Sequence, residues 1–120
     1  MKVTQGQAVA AFGVLQLMGK RQLNSGIAFR LFMLKKKLGD IVEFQVEQEN
    51  ALAGSLGGKF ENGRLILPEE NRAEYTEKHR AINETECEID TERISLPLKE
   101  IPITTIEEIE ILDPFINFTE

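Results

Sequence analysis

The sequence has few of the side chains from which catalytic and metal sites are usually built. Its 120 residues include one cysteine, one histidine and no tryptophan. The single Cys87 excludes an intrachain disulfide and a zinc site of several cysteines, and it favours a reducing compartment. Any Ser/His/Asp or Cys/His arrangement would have to use His79, which lies inside the helical pattern EYTEKHRAIN, where a hydrogen-bonded structural role is the simpler interpretation. We therefore predict a protein that is not an enzyme and needs no cofactor.

Long apolar runs are also missing. No run approaches the roughly 18 residues that a membrane span requires, and the N-terminal segment has no convincing signal-peptide cleavage site. We therefore expect no membrane association and a location in the cytosol of the host cell. The 42% hydrophobic content is typical of a globular protein, and no linker or repeat divides the chain. These features predict one domain over residues 1–120.

The basic residues are concentrated at one end of an overall acidic chain. The net charge is −6, but residues 1–39 carry seven basic side chains and no acidic one, whereas residues 40–120 carry seven basic and twenty acidic. Two interpretations stay open: the basic third packs beside the acidic remainder, within the chain or across a homo-oligomer interface, or part of it binds an anion. Duplex nucleic acid is not an expected partner, because the acidic surface would repel its phosphates.

One long helix organises the predicted fold. From Ile27 to about Ala53, apolar residues recur at steps of three and four and form one stripe on a helix face. Phe29, Phe32 and Met33 lie off that stripe, so this helix requires a second cover, which is either the N-terminal helix or a symmetry mate. The spacing from Thr4 to Gln7 predicts a capping box for that N-terminal helix, with Gly19 as its end. The two helices then form a helical hairpin.

The second half of the chain alternates turn signals with short elements. Asn62-Gly63 predicts a β-hairpin, and the segment from Pro68 predicts a polar helix. From Glu86 the apolar pattern changes to period two, with a bulge or turn at residues 90–93 and with Pro97 and Pro102 at a sheet edge. A short helix beginning near Thr105 precedes an apolar C-terminal tail. The predicted class is therefore α+β, a helical hairpin on one long central helix with a β-hairpin and a small antiparallel sheet.

Acidic side chains alternate along the period-two segment. Glu86, Glu88, Asp90 and Glu92 most simply form the solvated face of a strand, and we predict no metal site there.

Two groups of residues are candidates for ligand binding. Arg30 and Lys37 lie seven apart on one helical face, close to Phe29, a combination suited to a phosphate and a planar base. Tyr75 and His79 form a second pair on the polar helix. For both groups the competing interpretation is structural, with aromatic side chains in the core and basic side chains in solvent.

The order of elements resembles that of a family of small phage and prophage proteins known as a domain of unknown function. The matching segments are RLFMLKKKLGDI, GKFENGRLILPEENRAEYTEK, ETECEIDTERISLPLKEI and ILDPFI. This resemblance implies a phage-encoded, homo-oligomeric accessory protein. Our leading hypothesis is antagonism of host defence by sequestering a small nucleotide-like immune signal at an oligomer pocket, with Arg30 and Lys37 on its phosphate.

Two other hypotheses follow from other surfaces of the chain. An accessory protein of virion or tail assembly would bind another phage protein through the central helix and through Phe115, Ile116 and Phe118. An acidic inhibitor would bind a host protein through the alternating carboxylates that begin at Glu86.

Overall fold

A computed structural model describes residues 1–101 and 105–120 of the chain. These residues include four α-helices and six short β-strands. The helices are α1 (Gln5–Met18), α2 (Ser25–Ser55), α3 (Arg72–Glu84) and α4 (Ile106–Leu112). The strands are β1 (Lys2–Thr4), β2 (Lys59–Glu61), β3 (Arg64–Ile66), β4 (Glu86–Glu88), β5 (Ile94–Pro97) and β6 (Ile116–Thr119). This is the predicted α+β class. Pro102, which we placed at a sheet edge, lies outside the described residues.

Helix α2 runs the length of the molecule. Its 31 residues span about 46 Å at 1.5 Å per residue, and the longest dimension of the molecule is 50 Å. The helix begins where the side chain of Asn24 accepts a hydrogen bond from the backbone N–H of Ile27 at 2.9 Å, and Gly57 follows its end with φ +75°. The predicted stripe faces the core through Ile27, Leu31, Leu34 and Leu38, which are buried, whereas Ile41 is only half-buried.

Helix α1 packs against α2 and completes the predicted helical hairpin. Its capping box is present: Thr4 Oγ1 accepts from the N–H of Gln7 at 3.1 Å, and Gln7 Oε1 accepts from the N–H of Thr4 at 2.9 Å. The helix ends before Gly19, as predicted.

The strands form three two-stranded sheets. In the predicted hairpin β2 pairs with β3, and Asn62 and Gly63 both have positive φ, at 53° and 77°. Strand β1 pairs antiparallel with β4. The expectation of antiparallel pairing alone was incomplete, because β5 pairs parallel with β6. Residues 116–119, which we treated as a docked tail, are that sixth strand.

Buried apolar side chains form two clusters of unequal size. The large cluster joins α1, the first half of α2, α4 and the strands near both chain ends. The small cluster joins the end of α2 to α3 and the residue after β3 through Ala53, Leu56, Leu67 and Tyr75. Between them lies a polar contact, in which Gln45, 2% exposed, donates a hydrogen bond to Asn83 at 2.8 Å.

The polar helix α3 lies along α1 and α2 and exposes most of its surface, as the sequence predicted. Its first turn differs: residues Glu69–Asn71 after Pro68 form a 3₁₀ turn, and the α-helix begins at Arg72. Within the described part of the chain, no helix is both long and apolar enough to cross a membrane.

Candidate binding cleft on the central helix

The first half of α2 exposes large apolar side chains. Phe29 is 63% exposed, Phe32 54% and Met33 37%, although each lies on a helix whose opposite face is fully buried. The sequence predicted a second cover for these three residues. Helix α1 packs against α2 but leaves all three open, so the described chain does not provide that cover.

Arg30 and Lys37 line one cleft with Phe29, as the sequence placed them. The cleft, about 170 Å³, lies between α2 and residues 91–94. Its other lining residues are Met33, Leu34, Thr91 and Ile94.

Both cations are held in place by backbone carbonyl oxygens. Arg30 Nη1 donates to the carbonyl of Ser95 at 2.9 Å, and Lys37 Nζ donates to the carbonyl of Asp90. Neither cation forms an ion pair with a carboxylate among the described residues, and no acidic side chain lines the cleft. Carbonyl groups orient the cations but carry no formal charge, so two positive charges stay unneutralised beside an exposed phenylalanine ring.

Tyr75 and His79 belong to a different part of the molecule. Their rings stack with centroids 5.5 Å apart and an interplanar angle of 12°, and His79 Nε2 lies 2.5 Å from Glu49 Oε2. Burial and the nearby Glu49 carboxylate raise the pKa of Tyr75. Arg30 and Glu49 are 19 residues apart on α2, or about 28 Å along the helix axis. The five predicted site residues therefore form two groups, of which only Phe29, Arg30 and Lys37 share a cleft.

Two other basic residues of the first third, Lys2 and Arg21, pair with acidic residues of the remainder, as one interpretation of the charge pattern required. Arg21 binds Glu108 of α4 through two hydrogen bonds of 3.0 and 2.8 Å, and this hydrogen bonding raises the pKa of Arg21. Lys2 lies 3.8 Å from Glu86. Of the seven basic residues, two therefore form intrachain ion pairs, two line the cleft, and Lys20, Lys35 and Lys36 form no ion pair among the described residues.

A second concavity was missed by the sequence analysis. It measures about 410 Å³ and lies beside the β2–β3 hairpin, where it is lined by Arg64, Arg72 and Glu61 among others. Arg64 directly follows the Asn-Gly turn, and Arg72 begins α3. The position of these two arginines at predicted elements was the signal from which the sequence could have indicated this concavity. Glu61, whose carboxylate lies 3.2 Å from Lys59 Nζ, also lines this concavity, whereas no acidic side chain lines the cleft.

The surfaces of the two other hypotheses are partly occupied within the chain. Phe115 and Ile116 are 0% exposed in the large cluster, so they cannot form a protein-binding surface. Phe118, the third residue of that tail, is half-buried against the large cluster, so the assembly hypothesis keeps the central helix and part of the Phe118 side chain. Of the alternating carboxylates, Glu88 lies 3.0 Å from the terminal amine of Met1, which reduces the net charge of that face.

No described set of three or more His, Cys, Asp or Glu side chains is arranged to hold a metal ion. Burial, together with the charge of Glu88, raises the pKa of the Cys87 thiol.

Comparisons of the chain with protein-family models, curated proteins and solved structures give no significant match. The chemistry of the cleft therefore rests on its own residues and distances.

Proposed function

We propose that this protein is a non-enzymatic binding protein for a small anion that carries a planar group, and that Arg30, Lys37 and Phe29 bind it. The observation that supports this proposal is the pair of cations held by neutral carbonyls next to an exposed ring. Guanidinium and ammonium groups that are not neutralised by carboxylates retain their attraction for phosphate. An exposed aromatic face adds stacking area for a base.

The donors of both cations are only partly used. A guanidinium has five N–H groups and an ammonium three, and among the described residues one hydrogen bond to a carbonyl oxygen engages each cation. The remaining donors can bind anionic oxygens while the carbonyl contacts keep the side chains oriented. Such preorganisation lowers the entropy that binding would otherwise cost.

The size of the cleft limits how a ligand sits there. A typical small-molecule pocket has about 300–1,000 Å³, and this cleft has about 170 Å³. A phosphate group fits inside it, and a larger planar group must then extend over Phe29 and Met33 onto the open face of α2. In the phage setting implied by the family resemblance, binding of this kind would sequester a nucleotide-like immune signal of the host.

The second candidate function is an accessory role in phage assembly through binding of another phage protein. The exposed side chains of Phe29, Phe32 and Met33 favour it, since apolar residues that lie together on a surface are typical of protein interfaces. An assembly partner would cover these side chains without requiring the charges of Arg30 and Lys37.

Thermal unfolding in the presence of inorganic phosphate, a nucleoside and a nucleoside monophosphate tests the proposal. We expect the monophosphate to raise Tm most, because it alone engages both the cations and Phe29. Arg30→Gln and Lys37→Gln should each abolish most of that rise. Lys20→Gln removes an equivalent charge from the exposed loop before α2 and serves as the matched control.

Two results would contradict the proposal. One is an equal Tm with and without each compound, and the other is an unchanged rise in both cleft variants. A Tm rise that is lost equally in the Lys20→Gln control would also count against a defined site, because it would indicate a general charge effect.

A further inference from the structure

An apolar groove lies between α2 and the last turns of α1, and it measures about 280 Å³. Ala28, Phe32 and Lys35 line it from α2. Arg30 and Lys37, which line the cleft, lie about half a turn away around the same helix. The groove and the cleft share no lining residue, so they are separate concavities on opposite sides of α2.

The floor of the groove is apolar. Leu15 and Met18 of α1 and Leu31 of α2 lie there, and all three are buried. Leu23, from the loop between the two helices, adds a half-buried apolar side chain. Phe32 forms an open wall, since its side chain is largely in solvent. A hydrocarbon chain in this groove would cover Phe32 and displace water from apolar surface, which favours binding.

The groove also carries a positive charge that no carboxylate neutralises. Lys35 Nζ lies 5.4 Å from the centroid of the Phe12 ring, within cation–π range, and it forms no ion pair among the described residues. Arg21, the other cation in the lining, already binds the Glu108 carboxylate through two hydrogen bonds. No acidic side chain lines the groove. This charge pattern is complementary to an apolar chain with one negative end.

The dimensions of the groove fit one short chain. Lys35 lies at the end away from the loop, and Ala28 is seven residues before it on α2, or about 10 Å along the helix axis. An extended octanoate chain has about this length. The volume of about 280 Å³ is near the lower end of the roughly 300–1,000 Å³ that is typical of small-molecule pockets. A lipid with two long chains would not fit.

We propose that this groove binds a free fatty acid of medium chain length. The carboxylate lies against Lys35 Nζ, and the hydrocarbon chain runs along Leu31 and Met18 towards Leu23 in the loop. The site uses none of the residues that we assign to the anion cleft. The proposed function and this inference can therefore fail separately.

The methionine methyl groups report on the two sites independently. The chain has three methionines, of which Met18 lies in the groove, Met33 in the cleft and Met1 near Glu88. In NMR spectra of the methyl-labelled protein, octanoate should shift the Met18 signal and leave the other two in place. A nucleoside monophosphate should instead shift Met33. No shift of Met18 with octanoate, or an equal shift of Met33, would overturn the proposal.

A ligand series separates the contribution of the chain from that of the charge. Below micelle-forming concentrations, affinity should rise up to about fourfold per methylene from butanoate to octanoate, the equivalent of about 0.8 kcal/mol per buried CH₂. Octanoate should bind more tightly than 1-octanol, and octylammonium should bind least. Equal affinities for these three compounds would contradict a fatty-acid site, because they would indicate apolar contact alone, as with an apolar side chain of a protein partner.

Two substitutions test the assigned positions. Lys35→Gln should weaken octanoate binding by up to about fivefold, as expected for a partly exposed ion pair, and should leave 1-octanol binding unchanged. Lys36→Gln removes the same charge from the next residue, which does not line the groove, and is the matched control. Ala28→Leu should fill the groove and abolish the Met18 shift, and its Tm checks that it is folded.

Three results with these variants would count against the site. One is an equal loss of octanoate binding in Lys35→Gln and Lys36→Gln, which would indicate a general charge effect. Another is a parallel loss of 1-octanol binding in Lys35→Gln, which would mean that the substitution deforms the groove. The third is unchanged octanoate binding in folded Ala28→Leu, because the ligand would then bind elsewhere.

Discussion

The two groups of candidate ligand residues differ in the acceptors that their nitrogen atoms contact and in how deeply their rings are buried. At the first half of α2, Arg30 and Lys37 contact neutral carbonyls, and Phe29 beside them is 63% exposed. Near the end of α2, His79 contacts the carboxylate of Glu49, and Tyr75 is 9% exposed. The first arrangement leaves charge and apolar area open for a partner, whereas the second pairs its imidazole with a carboxylate and buries its tyrosine ring. We therefore infer that only the first is a binding site.

The largest expected effect is on stability at the second group. Tyr75→Ala removes the largest side chain of the small cluster and should lower the free energy of unfolding by about 3 kcal/mol. Denaturation in urea measures this change. The rise in Tm that the nucleoside monophosphate causes should persist under conditions where the variant is still folded. Loss of this rise would show that Tyr75 also supports binding.

A glycine next to the small cluster should be nearly as sensitive. A Cβ on Gly58 would lie 2.7 Å from the carbonyl oxygen of Ile66 and would also collide with Leu67 Cδ2. Gly58→Ala should therefore destabilise the protein by about 1–3 kcal/mol, since neither the backbone nor the buried side chain can move freely. Gly54→Ala is the matched control, because its Cβ meets nothing within 4 Å, and it should stabilise α2 by up to about 1 kcal/mol. Equal effects of the two substitutions in urea denaturation would contradict the packing described for this end.

The small cluster should also loosen at alkaline pH. Burial, followed by the Glu49 charge, raises the pKa of Tyr75 above its ordinary value of 10.0. Because the folded pKa is above the unfolded one, this contribution to stability is complete below about pH 10 and is lost as pH rises through the folded pKa. Tyr75 is the only tyrosine, so tyrosinate absorbance reports on it directly. In Tyr75→Phe the alkaline loss should be smaller, and an identical loss would assign it to other groups.

The cleft should tolerate truncation of its aromatic side chain. Phe29→Ala should change the free energy of unfolding by less than about 0.5 kcal/mol, because the ring is largely in solvent. The monophosphate-induced rise in Tm should nevertheless fall. A large loss of stability in chemical denaturation would mean that Phe29 packs within the fold. The cleft would then be a structural contact, as the Tyr75 and His79 pair is.

The smallest expected effect concerns Cys87, at the edge of the large cluster. Burial and Glu88 raise the pKa of its thiol, so less thiolate is present at neutral pH. We expect it to react with a disulfide reagent more slowly than a free thiol does. Reaction at the rate of the free thiol would indicate that the β1–β4 pair opens readily.

Sequence patterns predicted the elements with strong local signals. The stripe from Ile27 to Leu38 and the turn at Asn62-Gly63 each follow from residues close together in the chain, and both are present. Strand β5 lies in the period-two segment, but its pairing with β6 was missed because the four residues of β6 carry almost no periodic signal. The helical position of Arg30 and Lys37 could likewise be read from spacing. Their carbonyl partners could not, since those acceptors lie 65 and 53 residues away in sequence.

The most direct test of this account is a two-dimensional NMR titration of the isotopically labelled protein with a nucleoside monophosphate. We predict that amide signals of residues 29–37 and 90–95 shift as ligand is added, while those of residues 75–79 and of Glu49 stay in place. Shifts confined to the Tyr75 and His79 region, or no shift anywhere, would contradict the assignment of the binding site to the first half of α2.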